Sequence, residues 1–429
     1  MDLENQFAEY IGMLALSLRH ADRVAPLADY CRGLILPGDR KSVEPMAAVV
    51  APREVSAKHQ SLHHFVAQAD WSDERLLAQV RAYVVPRLEA RGAIEAWIVD
   101  DTGYPKKGEH SVGVARQYCG QLGKQENCQV AVSVSVANEA GSLPIAYRLY
   151  LPREWAEDGR GRAKVAVPAE VSFATKPAIA LGQLRVAKEA GVPAGVVLAD
   201  AAYGTETAFR EGVNALGLVY AVGIQSTTTL WAPGTGPLPP KAASASGRKP
   251  RLLRRDAKHQ PLSAKALAHR LPASAYRAVA WREGNKGLLR SRFARVRVRA
   301  AHRDYWRAAA RPEEWLLIEW PTGEAEPSKY WLSSLPETIA MRELVRIAKL
   351  RWRIERDFQE LKQELGLGHY EGRNWRGFHH HASLCIAAYG FLMACRLGRR
   401  RGSKKNTAAL LQFPRRPNAW RPRGAAAAA

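Results

Sequence analysis

Three short stretches of this chain hold carboxylates of the kind that act on phosphates. The apolar run AWIVDD ends in Asp100 and Asp101, and a second run, GVVLAD, ends in Asp200. Both read as buried strands, and an acid at the C-terminal end of a buried strand sits on rigid backbone at a rim, which suits a ligand. Such residues also cap helices and start turns, so either alone says little. The third stretch is LRWRIERDFQELKQELGL. Here Arg351, Glu355 and Lys362 stand four and seven residues apart and share one helical face, with Ile354, Phe358 and Leu361 on a neighbouring apolar stripe. Three carboxylates from separate elements, beside basic residues, fit two-metal phosphoryl transfer. Hard Mg²⁺ takes oxygen ligands, one ion activating the attacking oxygen and the other stabilising the leaving one, with Mn²⁺ able to substitute. The Asp100-Asp101 doublet leaves the first ligand open.

The charge of the chain points to a polyanion. Its 429 residues carry a net charge of +23, and the excess is segregated. Between Lys241 and Arg307 there are 19 Lys/Arg against 3 Asp/Glu, and from Arg396 onward 10 Lys/Arg and no acid, which leaves the remainder near neutral. Clustered Lys and Arg neutralise phosphates and release counterions, so a nucleic-acid partner is favoured over a merely solvated surface. In FARVRVRA, Arg295, Arg297 and Arg299 fall on one strand face and are candidate DNA contacts. Lys106 and Lys107 of TGYPKKG follow the first acids and could bring cations to a scissile phosphate, and Arg116, Gln117 and Tyr118 are further candidates. His379, His380 and His381 are consecutive, so on a helix they cannot all meet one ion; packing or DNA contact suits them better. The five cysteines form no CxxC pair, which argues against a disulfide framework and a zinc site. The acidic N-terminus does not read as a secretory signal, and no apolar run approaches a bilayer span; the expectation is a cytoplasmic, nucleoid-associated protein with no membrane contact.

The elements that must position these residues read as an α/β fold. Residues 1–90 show helical periodicity, with Ser72 a possible cap. From residue 91 to 224, three strands, a helix, a strand, a helix and a last strand make a sheet domain. Residues 225–336 are basic and β-rich and interrupt it, 337–397 return to helix with the third acid, and 398–429 read as a flexible basic tail.

These residues resemble the DDE transposases of bacterial insertion sequences. The resemblance lies in Asp100-Asp101-Thr102, LADAAYG around Asp200, and R-W-R-I-E with Lys362 seven residues beyond Glu355. It is strengthened by DDTGYPKKGEHSVGVARQYCGQLGKQENCQVAVSVSVA and LGLGHYEGRNWRGFHHHASL, and is narrowest for the group with a β-rich insertion and a Tyr-Arg-Glu-Lys signature. It implies an RNase H-like catalytic domain, a DNA-end-binding role for the N-terminal region and a homodimer on double-stranded DNA, both element ends and target. It selects Asp100 over Asp101, makes Asp100, Asp200 and Glu355 the catalytic metal ligands, and places Arg351 and Lys362 at the DNA backbone. Trp331 in KYWLSSLP matches the position of the family's base-stacking tryptophan, which serves hairpin-ended intermediates. The signature Tyr falls on Ala348, so any contact it makes is absent here or supplied by a neighbour such as Trp352. Two rival readings share these residues: a transposase-derived DNA-binding protein that no longer cuts, and an RNase H-like nuclease without strand transfer.

Truncation after Leu397 tests the electrostatic reading of the tail. DNA binding should weaken and the slope of log K against log salt should flatten, by about 0.9 for each phosphate that the tail neutralises. An unchanged slope would place the tail off the phosphates.

Overall fold

The computed structural model describes residues 2–242, 249–284 and 287–398. Apart from Gly398, the basic tail lies outside the described residues. Five helices come first: α1 (Leu3–Ala15), α2 (Val24–Ile35), α3 (Val43–Val50), α4 (Val55–Ala67) and α5 (Asp73–Glu89). The apolar spacing read from the sequence buries Phe7, Tyr10, Ile11 and Leu14 of α1 and Leu76, Leu77, Val80, Val84 and Leu88 of α5. Ser72 caps α5, its Oγ accepting from Arg75 N at 3.2 Å, with Asp73 and Glu74 in the first turn facing the positive end of the helix dipole.

The sheet begins with β1 (Ala96–Pro105), β2 (Ala115–Cys119), β3 (Lys124–Ala137) and β4 (Ser142–Leu149). β1 pairs antiparallel with β3 along its whole length, so it runs past the acids at which AWIVDD was expected to end. β2 and β4 pair with successive halves of β3. Next come α6 (Arg153–Glu157), α7 (Gly159–Lys164), α8 (Lys176–Glu189), β5 (Val196–Ala199), α9 (Ala201–Gly204), α10 (Thr207–Ala215) and β6 (Tyr220–Ile224). β5 lies parallel to both β1 and β6.

The following segment holds β7 (Thr229–Trp231), β8 (Leu262–Ser263), α11 (Ala264–Arg270), β9 (Arg277–Gly284), β10 (Gly287–Ala300), β11 (Glu314–Glu319) and β12 (Lys329–Ser333). These strands extend the same sheet rather than forming a layer apart: β12 pairs antiparallel with β6, β11 with β12, and β10 with β11. Three helices complete the described chain, α12 (Met341–Lys349), α13 (Trp352–Gln363) and α14 (Trp375–Gly398).

α14 is the axis on which the N-terminal helices pack. Tyr10 Oη donates to Ala387 O at 2.9 Å, and a Cβ on Gly390 would meet Val80 at 3.0 Å and Tyr10 Oη at 3.2 Å. By length and apolar composition α14 could cross a membrane, a run not anticipated from the sequence. In the fold 83% of that stretch is buried, as in a core helix. Its three histidines are packed and bonded within the protein. Leu149 N donates to His379 Nε2, His380 lies 3.5 Å from the Trp71 ring with its nitrogens on Val66 O and Trp71 O, and His381 bridges Tyr30 Oη and Gly366 O. Burial holds the pKa of His380 and of His381 down to about 4.

One glycine fixes the sheet end at which Asp200 stands. A Cβ on Gly204, at the end of α9, would stand 2.1 Å from Gly223 O and 2.7 Å from Val222 Cβ, so the helix can lie against β6 only without a side chain. Gly204→Ala should therefore destabilise the protein by about 3 kcal/mol, as overpacking against backbone does. Chemical denaturation measures it, and a change near zero would show that α9 can lift without cost.

Candidate active site

Asp100 and Asp200 reach one place through the register of two parallel strands. Ile98 lies beside Leu198, the last pair of β1 with β5 in that register. Two residues on, β1 still pairs with β3 at Asp100 while β5 has given way to Asp200, whose Oδ1 accepts from Ala202 N at 2.9 Å and caps α9. The next strand position alternates sides, so Asp101 turns away and pairs with Lys176 of α8. This alternation separates the members of the doublet, which spacing alone does not.

The third acid comes from α13, whose N-cap is Arg351. The Arg351 guanidinium touches all three carboxylates: Asp100 Oδ1 at 3.0 Å, Glu355 Oε1 at 3.1 Å and Asp200 Oδ2 at 3.8 Å. Asp100 is the deepest, its side chain 12% exposed, whereas Glu355 is 65% exposed. Burial, and then the charges of Asp200 and Asp101, push the Asp100 carboxyl up to about 7, against the pull of Arg351. Burial also works against the charge on Arg351, and the three carboxylates outweigh it, so its pKa rises. Among the described residues no three His, Cys, Asp or Glu side chains stand close enough as they are to hold a metal ion. In donor type the three acids fit a hard divalent cation, all oxygen and gathered about one positive charge.

The opposite side of α13 is anchored. Asp357 Oδ1 accepts from Ser142 Oγ at 2.6 Å and from Tyr389 Oη at 2.9 Å, tying the helix to β4 and α14; burial pushes this carboxyl up to about 6. Lys362 projects toward β1, its Nζ donating to Gly103 O at 2.8 Å and Gln121 Oε1 at 3.2 Å, and burial lowers it to about 8. The pattern Arg351-Glu355-Lys362 thus does face β1. Two participants had no clear signal in the sequence. Lys176 neutralises Asp101, and Tyr203 of LADAAYG is buried with its hydroxyl unpartnered, its pKa raised by burial and then by Asp101, Asp100 and Asp200.

The other candidates are placed unevenly. Lys106 donates to Tyr370 O at 3.1 Å and is partly buried, while Lys107 and Arg116 are exposed. Arg295, Arg297 and Arg299 are partly buried and occupied within the protein. Arg295 donates to Ile339 O and lies 4.4 Å from the Trp315 ring, Arg297 donates to Glu313 O and pairs with Glu337, and Arg299 donates to Arg311 O and pairs with Glu313. Both members of the Tyr330-Trp331 pair are buried. Trp331 is 8% exposed, with Lys349 Nζ 5.3 Å from its ring. Ala348 is buried, and Trp352 lies under the Arg282 guanidinium at 4.1 Å.

The chain belongs to the DDE superfamily endonucleases, whose sequence model matches residues 13–288, a span that contains Asp100 and Asp200 and stops before Glu355. Over 188 residues the chain is also 32% identical to the "Probable transposase for insertion sequence element IS701" of Microchaete diplosiphon, a match covering 44% of this chain and 45% of that protein.

A carboxyl raised by burial costs stability once it ionises. The folded pKa of Asp100 lies above the 3.8 of the free group, so the folded state holds its proton more tightly and loses stability as pH climbs from about 4 to about 7. Asp100→Asn removes that loss. In EDTA the variant should be more stable than the parent at pH 8, by at most ~4 kcal/mol, with the gap closing toward pH 4. Equal melting at pH 8 would mean that Arg351 fully offsets the burial.

Proposed function

We propose that this protein is a DNA transposase that cuts at the ends of an insertion element and joins the freed 3′-OH to target DNA. The observation that carries the reading is the convergence of Asp100, Asp200 and Glu355, from three separate elements, on one guanidinium. The strand order β4-β3-β1-β5-β6, with β3 antiparallel to its neighbours, supports an RNase H-like catalytic domain formed by residues 91–224 and 337–397. In this reading residues 225–336 are its insertion, residues 1–90 bind the element end, and the enzyme works as a homodimer on double-stranded DNA.

Asp100, Asp200 and Glu355 would hold Mg²⁺, or Mn²⁺ in its place. When bound, two such ions supply an activated attacking oxygen and charge stabilisation at the leaving oxygen. The rest falls to the chain. Asp100 and Asp200 are fixed by strand register, whereas exposed Glu355 closes the set from the helix. Arg351 must release the carboxylates for them to gather, and a DNA phosphate offers its guanidinium a replacement partner of matching geometry. Lys362 brings a second cation to the same side of β1. Resolution of the cut ends through hairpins belongs to this proposal, with Trp331 receiving an unstacked base once Lys349 moves off its face.

Cleavage and strand-transfer assays on end-containing DNA test the assignment. Ala at Asp100, Asp200 or Glu355 should reduce both reactions to background with end binding retained, and Asp101→Ala should keep substantial activity. Hydrolysis without joining would instead make the protein a nuclease. Arg351→Gln should raise the affinity of DNA-free protein for Mn²⁺ at least about tenfold, because a unit charge is removed from within 4 Å of the ligands. Unchanged affinity, read by calorimetry, would show that Arg351 does not compete for them.

A further inference from the structure

We propose that the turn Arg303–Arg307 is a stacking platform for unpaired bases of single-stranded DNA, distinct from the carboxylate site. Its two rings stand in solvent. Trp306 is 60% exposed and Tyr305 41%, edge to face at 5.7 Å between centroids. Large aromatic side chains usually bury most of their surface, and two adjacent ones left in water mark a contact surface.

The turn is built to hold them there. Between Arg303 and the rings, Asp304 points inward, 1% exposed. Its Oδ2 accepts from buried Trp231 Nε1 at 2.5 Å, and its Oδ1 accepts from Arg255 Nε at 2.9 Å and Arg255 Nη2 at 2.6 Å. A carboxylate that satisfies an indole and a guanidinium in the interior fixes the backbone on either side of it. Arg303 takes the left-handed conformation, φ 52°, which turns the chain so that residues 305 and 306 face out. Leu253 N, donating to Arg307 O at 2.8 Å, closes the far end.

The surroundings select the ligand. The Arg303 guanidinium lies 4.9 Å from the Trp306 ring and that of Arg255 5.2 Å from Tyr305, inside the most basic segment of the described chain. The Trp306 ring beside the exposed Arg303 guanidinium offers a base a stacking face and its phosphate a charge at the same point, while Arg255, held by Asp304, backs the Tyr305 ring. In duplex DNA the base faces are covered by their neighbours, so only an unpaired strand can use the rings. Transposition exposes such strands, but the inference rests on the turn and not on the catalytic reading.

Full-length protein in EDTA tests it, with fluorescence anisotropy on an oligo-dT of about 15 nucleotides and a duplex of equal length. The double variant Tyr305→Ala, Trp306→Ala should bind the single strand about tenfold more weakly and the duplex within about twofold of the parent. Trp306→Phe, which keeps a ring, should retain most of the single-strand affinity. Both residues are exposed, so melting temperatures should match the parent and a folding defect would be visible there. An Asp100→Ala protein that no longer cuts should still bind the single strand as the parent does, which separates this platform from the carboxylate site. Unchanged single-strand affinity in the double variant, or equal weakening on the duplex, overturns the proposal.

Discussion

Asp100 is buried beside further carboxylates, so its charge needs a cation at hand, and that constraint shapes this site. Arg351 meets it within the protein, touching Asp100, Glu355 and Asp200 from one side chain. A guanidinium suits the task because it never gives up its proton and offers several donors in a fixed plane. Its compensation is partial, since the Asp100 carboxyl still rises to about 7 under burial. The cluster is therefore less stable than an apolar packing of the same residues would be, the usual condition of a site selected for chemistry.

The scaffold resolves the constraint from two directions. Parallel pairing of β1 with β5 sets Asp100 level with Asp200, and Gly204 lets α9 lie against β6 without pushing Asp200 aside. α13 must then be held at a fixed distance across from them. Asp357, two residues after Glu355, does so from the other side of the helix by accepting from Ser142 of β4 and Tyr389 of α14. Because α14 is buried among α2, α4, α5 and β4, the N-terminal helices and the site share one continuous apolar core, and rigidity in one is transmitted to the other.

Net charge and available charge are different quantities in this chain. The excess of Lys and Arg in the basic segment is large, yet Arg295, Arg297 and Arg299 are occupied by backbone carbonyls, the Trp315 ring and acids, and Arg255 by Asp304. Arginines so placed stiffen the strands and turns they cross. What they leave facing solvent is a smaller set, of which Arg303 beside Trp306 is the clearest.

Residue types and local elements were legible in the chain before any fold was known. Alternating and helical apolar patterns placed the strands around Asp100 and Asp200, the helix of Glu355 and the cap at Ser72, because these depend on neighbours within a few residues. The shared face of Arg351, Glu355 and Lys362 was legible for the same reason, since helical geometry fixes it. Other questions were answered only when distant segments met. Asp100 and Asp101 are equivalent in composition and spacing, and the fold sets one beside Arg351 and the other beside Lys176. The arginine face of FARVRVRA looked free because sequence cannot show which carbonyls and rings come to lie over it. Trp331 and Tyr330 alternate correctly, yet both are buried, since a strand inside a wide sheet is covered on both faces by elements distant in the chain. Contacts between separate elements, from Arg299 with Arg311 to Asp101 with Lys176, decide such questions, and no local pattern encodes them.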